Sequence, residues 1–332
     1  MEPTIIAVII IILALVFNFL NGMNDAANSI ATIVSTRVLT PRFAVAWAAF
    51  FNLAAAFIFG VGVAKTIGKG VVSPEVLSLW FVLAVILGAI VWTYACTMLG
   101  LPISASHALV GGIIGAGLVK SGVKVLMMES IIKIAAFIIL SPLIGFLLGI
   151  TFSITTAWIF RRWSPFRVDR LFRAGQLLSS ALFSLGHGAN DAQKTMGIIV
   201  MVLVAAGWQK GFHVPLWVIL SCYLSISLGT LLGGWRVVKT IGMRVTKLIP
   251  VSGFCAEAAA AASIIGSSLG GIPVSTTHTI TGGIIGVGSL RRLSAVKWGV
   301  AGNIVVAWVL TLPGAGLISA LAYLALKACG AS

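Results

Sequence analysis

Two short polar units interrupt otherwise apolar sequence. They are Asn21-Gly22-Met23-Asn24-Asp25-Ala26-Ala27-Asn28-Ser29 and, 166 residues later, His187-Gly188-Ala189-Asn190-Asp191-Ala192-Gln193-Lys194-Thr195. An ionisable side chain at membrane depth costs about 2.5–3.5 kcal/mol on insertion scales, so Asp25 and Asp191 read as functional rather than as packing. The two carboxylates, the amides of Asn24 and Asn190 and any unwound backbone carbonyls form a hard-oxygen set suited to Na+. Two further segments have the opposite polarity: Pro102-Ile103-Ser104-Ala105-Ser106-His107 and Pro273-Val274-Ser275-Thr276-Thr277-His278. Each puts N-cap residue types at the start of a short helix. The free N–H groups and positive dipole end there attract anions, phosphate above all, and Ser104, Ser106, Ser275, Thr276 and Thr277 add hydroxyl donors. A carboxylate facing a bound phosphate repels it unless a cation intervenes. Cation and anion together neutralise each other in low dielectric, a physical reason for co-transport.

The elements that must hold these groups are membrane helices. Of 332 residues, 59% are hydrophobic and 9% charged, against about 25% charged in a soluble domain. The apolar runs are continuous rather than alternating, which excludes a membrane barrel. The net charge of +15 does not point to nucleic acid, because Lys and Arg fall in short clusters between apolar runs. The seven acids are Glu2, Asp25, Glu75, Glu129, Asp169, Asp191 and Glu257. The first apolar run follows Glu2 and reads as a span, not a removable signal. Cys96, Cys222, Cys255 and Cys329 show neither metal spacing nor a disulfide pattern.

Residues 3–36 as one straight helix would run about 50 Å, against a hydrocarbon core of about 30 Å. A break at Asn21–Asp25 is therefore expected, with Asn24 or Asp25 capping the second piece. Further spans are expected over 43–64 and 77–99, a short piece over 105–119 forming a hairpin or re-entrant pair, and a long run over 131–160 kinked at Pro142. The second half replays this: 174–206 broken at Gly188–Asp191, 216–234, 251–268, a short piece to about 289, and 298–326 with Pro313. The expected fold is thus an all-α polytopic membrane protein of about 10–12 segments. A first repeat spans 1–160, a basic cytoplasmic linker 161–173 and a second repeat 174–332.

The segment from Pro102 to Gly117 aligns with Pro273 to Gly288 at nine of sixteen positions, and at the same offset of 171 Pro142 meets Pro313. If the Arg161–Arg173 loop is cytoplasmic, an inverted arrangement puts fourteen basic residues inside and six outside, with both termini outside. Inverted repeats with broken helices are how many secondary transporters build a midplane site. Glu257 sits in a run of small residues and is read as a cation ligand, a proton carrier, or a partner of a base such as Lys194. Gln193 and Lys194 replace Ala27 and Asn28 of the first unit, so the half-sites differ. Lys194 either contacts phosphate or pairs with an acid. His107 and His278 read as structural histidines rather than metal ligands, and the tryptophans near span ends as interface anchors.

At Gly22-Met-Asn-Asp-Ala-Ala-Asn-Ser29, Gly188-Ala-Asn-Asp-Ala-Gln193, the two Pro-x-Ser-x-Ser/Thr-His segments and Thr311-Leu-Pro313, the chain resembles the inorganic phosphate transporter (phosphate permease) family over essentially its whole length. Met23 stands where the signature has Ala, and Asn52 where some members carry Glu. The resemblance implies inverted repeats, symport of inorganic phosphate with Na+ or H+ in the inner (plasma) membrane, and a homodimer. The expected phosphate contacts are Ser104, Ala105, Ser106, Gln193, Ser275, Thr276 and Thr277, with Asn24 and Asn190. The expected Na+ ligands are Asp25, Asp191, Asn24, Asn190, Glu257, Ser104 and Ser275. Sulfate or metal-phosphate symport is the alternative cargo. A channel or an intramembrane enzyme with an Asp25/Asp191 dyad accounts less well for the paired capped breaks.

Overall fold

The computed structural model is all-helical and describes residues 3–69 and 77–330; Glu2 and Glu75 lie outside them. The first half holds α1 (Pro3–Ser35), α2 (Pro41–Ala54), α3 (Gly62–Lys69), α4 (Leu79–Leu99), α5 (Ala105–Ser121) and α6 (Met128–Ile159). The second holds α7 (Pro165–Ala205), α8 (Leu216–Leu232), α9 (Trp235–Lys239), α10 (Pro250–Leu269), α11 (Thr276–Arg291) and α12 (Trp298–Ala328). Among the described residues five helices are individually long and apolar enough to cross a membrane: α1, α4, residues 135–159 of α6, α10 and α12. Helix α8 and the segment from Trp235 to Arg244 form one further pair, bent by 63°.

The packing has a two-fold logic. Helix α1 lies on α8 as α7 lies on α2, α6 on α11 as α12 on α5, and α4 on α12 as α10 on α6, while α1 and α7 meet each other. Glycines permit the closest of these approaches. A Cβ on Gly22 would stand 2.1 Å from the Ile226 carbonyl oxygen, and one on its counterpart Gly188 would stand 2.6 Å from that of Asn52. No side chain fits at those distances.

Two of the four expected helix starts are present. Ser104 caps α5, its Oγ accepting from the His107 N–H at 3.3 Å, and Ser275 caps α11, its Oγ accepting from the His278 N–H at 3.2 Å. The other two are corrected: α1 and α7 run unbroken through Asn24-Asp25 and Asn190-Asp191. Neither stretch contains a proline or a residue of positive φ. The motif side chains bond to other helices instead of capping their own backbone. At 33 and 41 residues these helices exceed the bilayer core, and tilt or extension beyond it absorbs the excess. The basic stretch also differs from the expected linker, because residues from Pro165 onward already form the first turns of α7. The span expected over 43–64 stops as an α-helix at Ala54, and α3 resumes at Gly62. Pro142 and Pro313 both lie inside continuous helices.

Two apolar clusters bracket a polar waist. Helix α1 gives Ile6, Ile10, Ala14 and Phe17 to one, with α4, α5, α7 and α8, and gives Ala27, Ile30 and Ile33 to the other, with α10, α11 and α12. The stretch from Asn18 to Asp25 lies between them.

Candidate functional site

Asn18, Asn21, Asp25, Asn28 and Thr32 follow one another at spacings of three and four, which puts them on one face of α1. None is more than 2% exposed. Helix α7 carries Ser184, His187, Asp191 and Lys194 at the same spacing and equally buried. The two stripes meet at the waist. Thr195 donates to Asn18 Oδ1 at 3.1 Å, and Asn18 Nδ2 donates to the Cys222 carbonyl at 2.7 Å. Asn21 Nδ2 points to Asp191 Oδ2 at 3.4 Å.

His187 is the centre of this waist. Its Nε2 lies 3.7 Å from Asp25 Oδ2 and 3.5 Å from Asp191 Oδ2. One ligand atom from each of the three residues falls within 4.8 Å of the others. The far side of the ring is set by a relay. Thr230 donates to the Ile226 carbonyl at 2.9 Å, so its Oγ1 accepts from Asn52 Nδ2 at 2.9 Å. That orients Asn52 Oδ1 toward His187 Nδ1 at 3.1 Å, and Nδ1 must supply the proton. Nε2 then has two chemically consistent states. Either it is protonated and the imidazolium bridges both carboxylates, or its lone pair joins theirs around a cation.

The aspartates otherwise have different surroundings. Asp25 accepts from Thr276 Oγ1 at 3.3 Å and from Thr277 Oγ1 at 3.2 Å, at the N-terminus of α11. The Thr277 hydroxyl also lies 3.0 Å from the Ile103 carbonyl and accepts from Asn28 Nδ2 at 2.9 Å. Asp191 is paired with Lys194, whose Nζ lies 2.6 Å from Oδ1. The same ammonium donates to Ser106 Oγ at 2.5 Å and to the Val274 carbonyl at 2.9 Å. The choice the sequence left for Lys194 therefore falls to pairing with an acid. That acid is Asp191 and not Glu257.

Glu257, with 0% exposure, forms a second buried acid centre one α1 stripe-step further on. Thr32 and Ser179 donate to its two oxygens, the latter at 2.5 Å, and Gln176 Nε2 donates at 3.1 Å. No Lys or Arg among the described residues forms an ion pair with it.

Of the remaining expected residues, Ala105 and Ser106 form the first turn of α5, where their N–H groups have no intrahelical acceptor. Asn24 Nδ2 donates to Thr97 Oγ1 at 2.8 Å, and Asn190 Nδ2 to Ser268 Oγ at 3.1 Å. These contacts tie both motifs to the ends of α4 and α10. Gln193 is turned away from the capped breaks. Its Oε1 accepts from the Val63 N–H at 2.9 Å and its Nε2 donates to the Ala189 carbonyl at 2.7 Å, which holds the start of α3. His107 and His278 meet edge to face with ring centroids 4.8 Å apart, and His278 stacks on Trp308. Buried side-chain oxygens without a hydrogen-bond partner include Asn21 Oδ1, Asn28 Oδ1 and Asn190 Oδ1. A buried amide oxygen without a donor leaves a lone pair unsatisfied. Sequence reasoning passed over His187, Asn21 and Asn28. The three-and-four spacing of polar residues on an apolar helix was the signal that marks them.

A family model described as the phosphate transporter family matches residues 21–319. The chain is 54% identical over 317 residues to a probable low-affinity inorganic phosphate transporter of Rhizobium meliloti (strain 1021), covering 95% of both chains. It is 42% identical to a protein of the same description from Bacillus subtilis (strain 168), covering 97% of this chain and 98% of that one. Among solved structures, "The sodium-dependent phosphate transporter" superimposes with a TM-score of 0.86 at 28% identity, covering 97% of this chain and 99% of the other. On a family match across nine-tenths of its length and relatives this similar from end to end, the chain belongs to the phosphate transporter family and is a membrane transporter rather than an enzyme.

Proposed function

We propose that the protein imports inorganic phosphate coupled to Na+, by alternating access around the waist where α1 and α7 meet. The observation that carries this reading is the convergence of Asp25, His187 and Asp191 within 4.8 Å, flanked by orphaned amide oxygens. Such a centre calls for a cation. The anion docks beside it on the first turns of α5 and α11, at Ala105, Ser106, Thr276 and Thr277. The Thr276 and Thr277 hydroxyls that donate to Asp25 turn toward the phosphate once a cation holds the carboxylate. Glu257 of α10, ringed by donors on α1 and α7, serves as a second cation station on the path. Inverted repeats and termini outside accompany this reading, supported by the fourteen-to-six split of basic residues, and residence in the inner membrane enters on family resemblance. A homodimer enters on family resemblance alone.

One observation favours a proton-coupled version: Nε2 of His187 faces both carboxylates and bridges them when protonated. Radiolabelled phosphate uptake into proteoliposomes separates the two. An imposed inward Na+ gradient at equal pH drives uptake in the first case. Uptake that ignores Na+ and follows ΔpH overturns it for the second, and uptake that follows neither gradient overturns both.

A further inference from the structure

We propose that Lys194 is a tethered cation. Its ammonium occupies one of two pseudo-symmetric cation positions in the waist, so the protein binds one coupling cation fewer than its fold has positions for. This rests on the cation-coupled reading above and adds the count and the address of the ion.

The case is a correspondence of two quartets. Around Lys194 Nζ stand Asp191 Oδ1 at 2.6 Å, Ser106 Oγ at 2.5 Å and the Val274 carbonyl at 2.9 Å. The motif offset of 166 converts Asp25 into Asp191 and Asn28 into Lys194. The offset of 171 converts Ile103 into Val274 and Ser106 into Thr277. The counterparts Asp25, Asn28, Thr277 and the Ile103 carbonyl are gathered in the same way. Thr277 Oγ1 lies 3.2 Å from Asp25 Oδ1, 3.0 Å from the Ile103 carbonyl and 2.9 Å from Asn28 Nδ2. Every member of one set thus has its mate in the other, and in each set the two breaks exchange partners across the two-fold.

In the functional groups they present, the sets differ at one position, and the difference is a charge. On the Lys194 side the three N–H bonds of the ammonium meet three oxygens, so that group is saturated and its carboxylate is neutralised. On the Asn28 side a carboxylate, a carbonyl and a hydroxyl face one another with no Lys or Arg paired to Asp25 among the described residues. Asn28 Oδ1, 1% exposed as a residue, has no hydrogen-bond partner there. Four oxygens and one net negative charge suit a single monovalent cation. The ammonium of Lys194 marks where the second would sit if position 194 were also asparagine.

Sodium counting on purified protein tests this. Equilibrium 22Na+ binding is measured for the wild type, for Lys194→Asn and for the reciprocal Asn28→Lys, each checked for a monodisperse peak on gel filtration. Lys194→Asn should bind one Na+ per chain more than the wild type, and Asn28→Lys one fewer. A well-folded Lys194→Asn with an unchanged count overturns the proposal. Should that variant not fold, an Asn28→Lys protein that keeps the wild-type count overturns it equally. A wild-type count of zero defeats the Na+ reading of the previous section instead, and the Lys194 proposal then stands or falls on the ion gained by Lys194→Asn.

Discussion

Substituting the two aspartates one at a time should stop transport in both cases and yet destabilise the protein in only one. Asp191 and Lys194 form a pair with side chains 2% and 3% exposed and a 2.6 Å separation. Asp191→Asn keeps the shape and leaves the ammonium buried with two neutral acceptors, Ser106 and Val274. Breaking a buried pair by removing one partner costs about 3–5 kcal/mol. For a chain of this size about 2 °C accompanies each kcal/mol, so the melting midpoint should fall by about 6–10 °C.

Asp25→Asn runs the other way. Among the described residues Asp25 has no lysine or arginine, only two hydroxyl donors and an imidazole nitrogen at 3.7 Å. The amide still accepts from Thr277, and the substitution removes a buried charge that no lysine or arginine among the described residues neutralises. Its midpoint in Na+-free buffer should be unchanged or higher. A fluorescence-detected melting series in detergent, without Na+ or phosphate, reads both. Equal destabilisation by the two substitutions would refute the reasoning, as would a rise for Asp191→Asn. Adding Na+ supplies an internal check: it should raise the wild-type midpoint more than that of Asp25→Asn.

Other perturbations follow from the same contacts. Glu257→Gln sets an amide N–H₂ either against the Gln176 amide and the Thr32 hydroxyl or against the Ser179 hydroxyl, and should lower phosphate uptake more than tenfold in proteoliposomes. Gly22→Ala drives a methyl to 2.1 Å from the Ile226 carbonyl and should cost about 1–3 kcal/mol as α1 and α8 separate, read as a fall in melting midpoint. Gly266→Ala in α10, where an added Cβ meets nothing within 4 Å, should instead stabilise by up to about 1 kcal/mol. Ser104→Ala and Ser275→Ala each remove one cap and should cost about 0.5–2 kcal/mol in the same assay.

The all-helical membrane class, the internal repeat and the two capped breaks were legible because each rests on local chemistry. A serine before a helix and a left-handed Gly100 after one need no tertiary partner to be recognised. The unbroken courses of α1 and α7 were not legible. Asn and Asp are cap formers by propensity, and only the opposing helices decide that Asn24 bonds to Thr97 rather than to its own backbone. The short polar residues around Glu257 escaped for a similar reason. Thr32, Gln176 and Ser179 are ordinary residues until two helices bring them to one carboxylate. Gln193 shows the limit of motif reading: it stands inside the signature, yet its amide secures the start of α3.

Symmetry explains why Lys194 matters more than its single charge suggests. Two identical half-sites meeting on a two-fold would bring two bare carboxylates together, and here an oxygen of each lies within 4.8 Å of the other. At an effective dielectric of about 20 such a pair repels by about 3 kcal/mol. A carrier that must return empty would meet this repulsion in every cycle. A lysine in one half removes it permanently, because its ammonium cannot leave with the cargo. The other half keeps an asparagine whose amide oxygen can bind an ion and release it. The duplicated motif then divides its work. Asp191 with Lys194 acts as a fixed, neutral wall that positions the start of α5. On the proposed reading Asp25 with Asn28 is the exchangeable charge, and its occupancy would decide whether Thr276 and Thr277 face a carboxylate or a phosphate. On this division the affinity for the coupling ion resides chiefly on the α1 side, and the coupling between ion and anion passes through the first turn of α11.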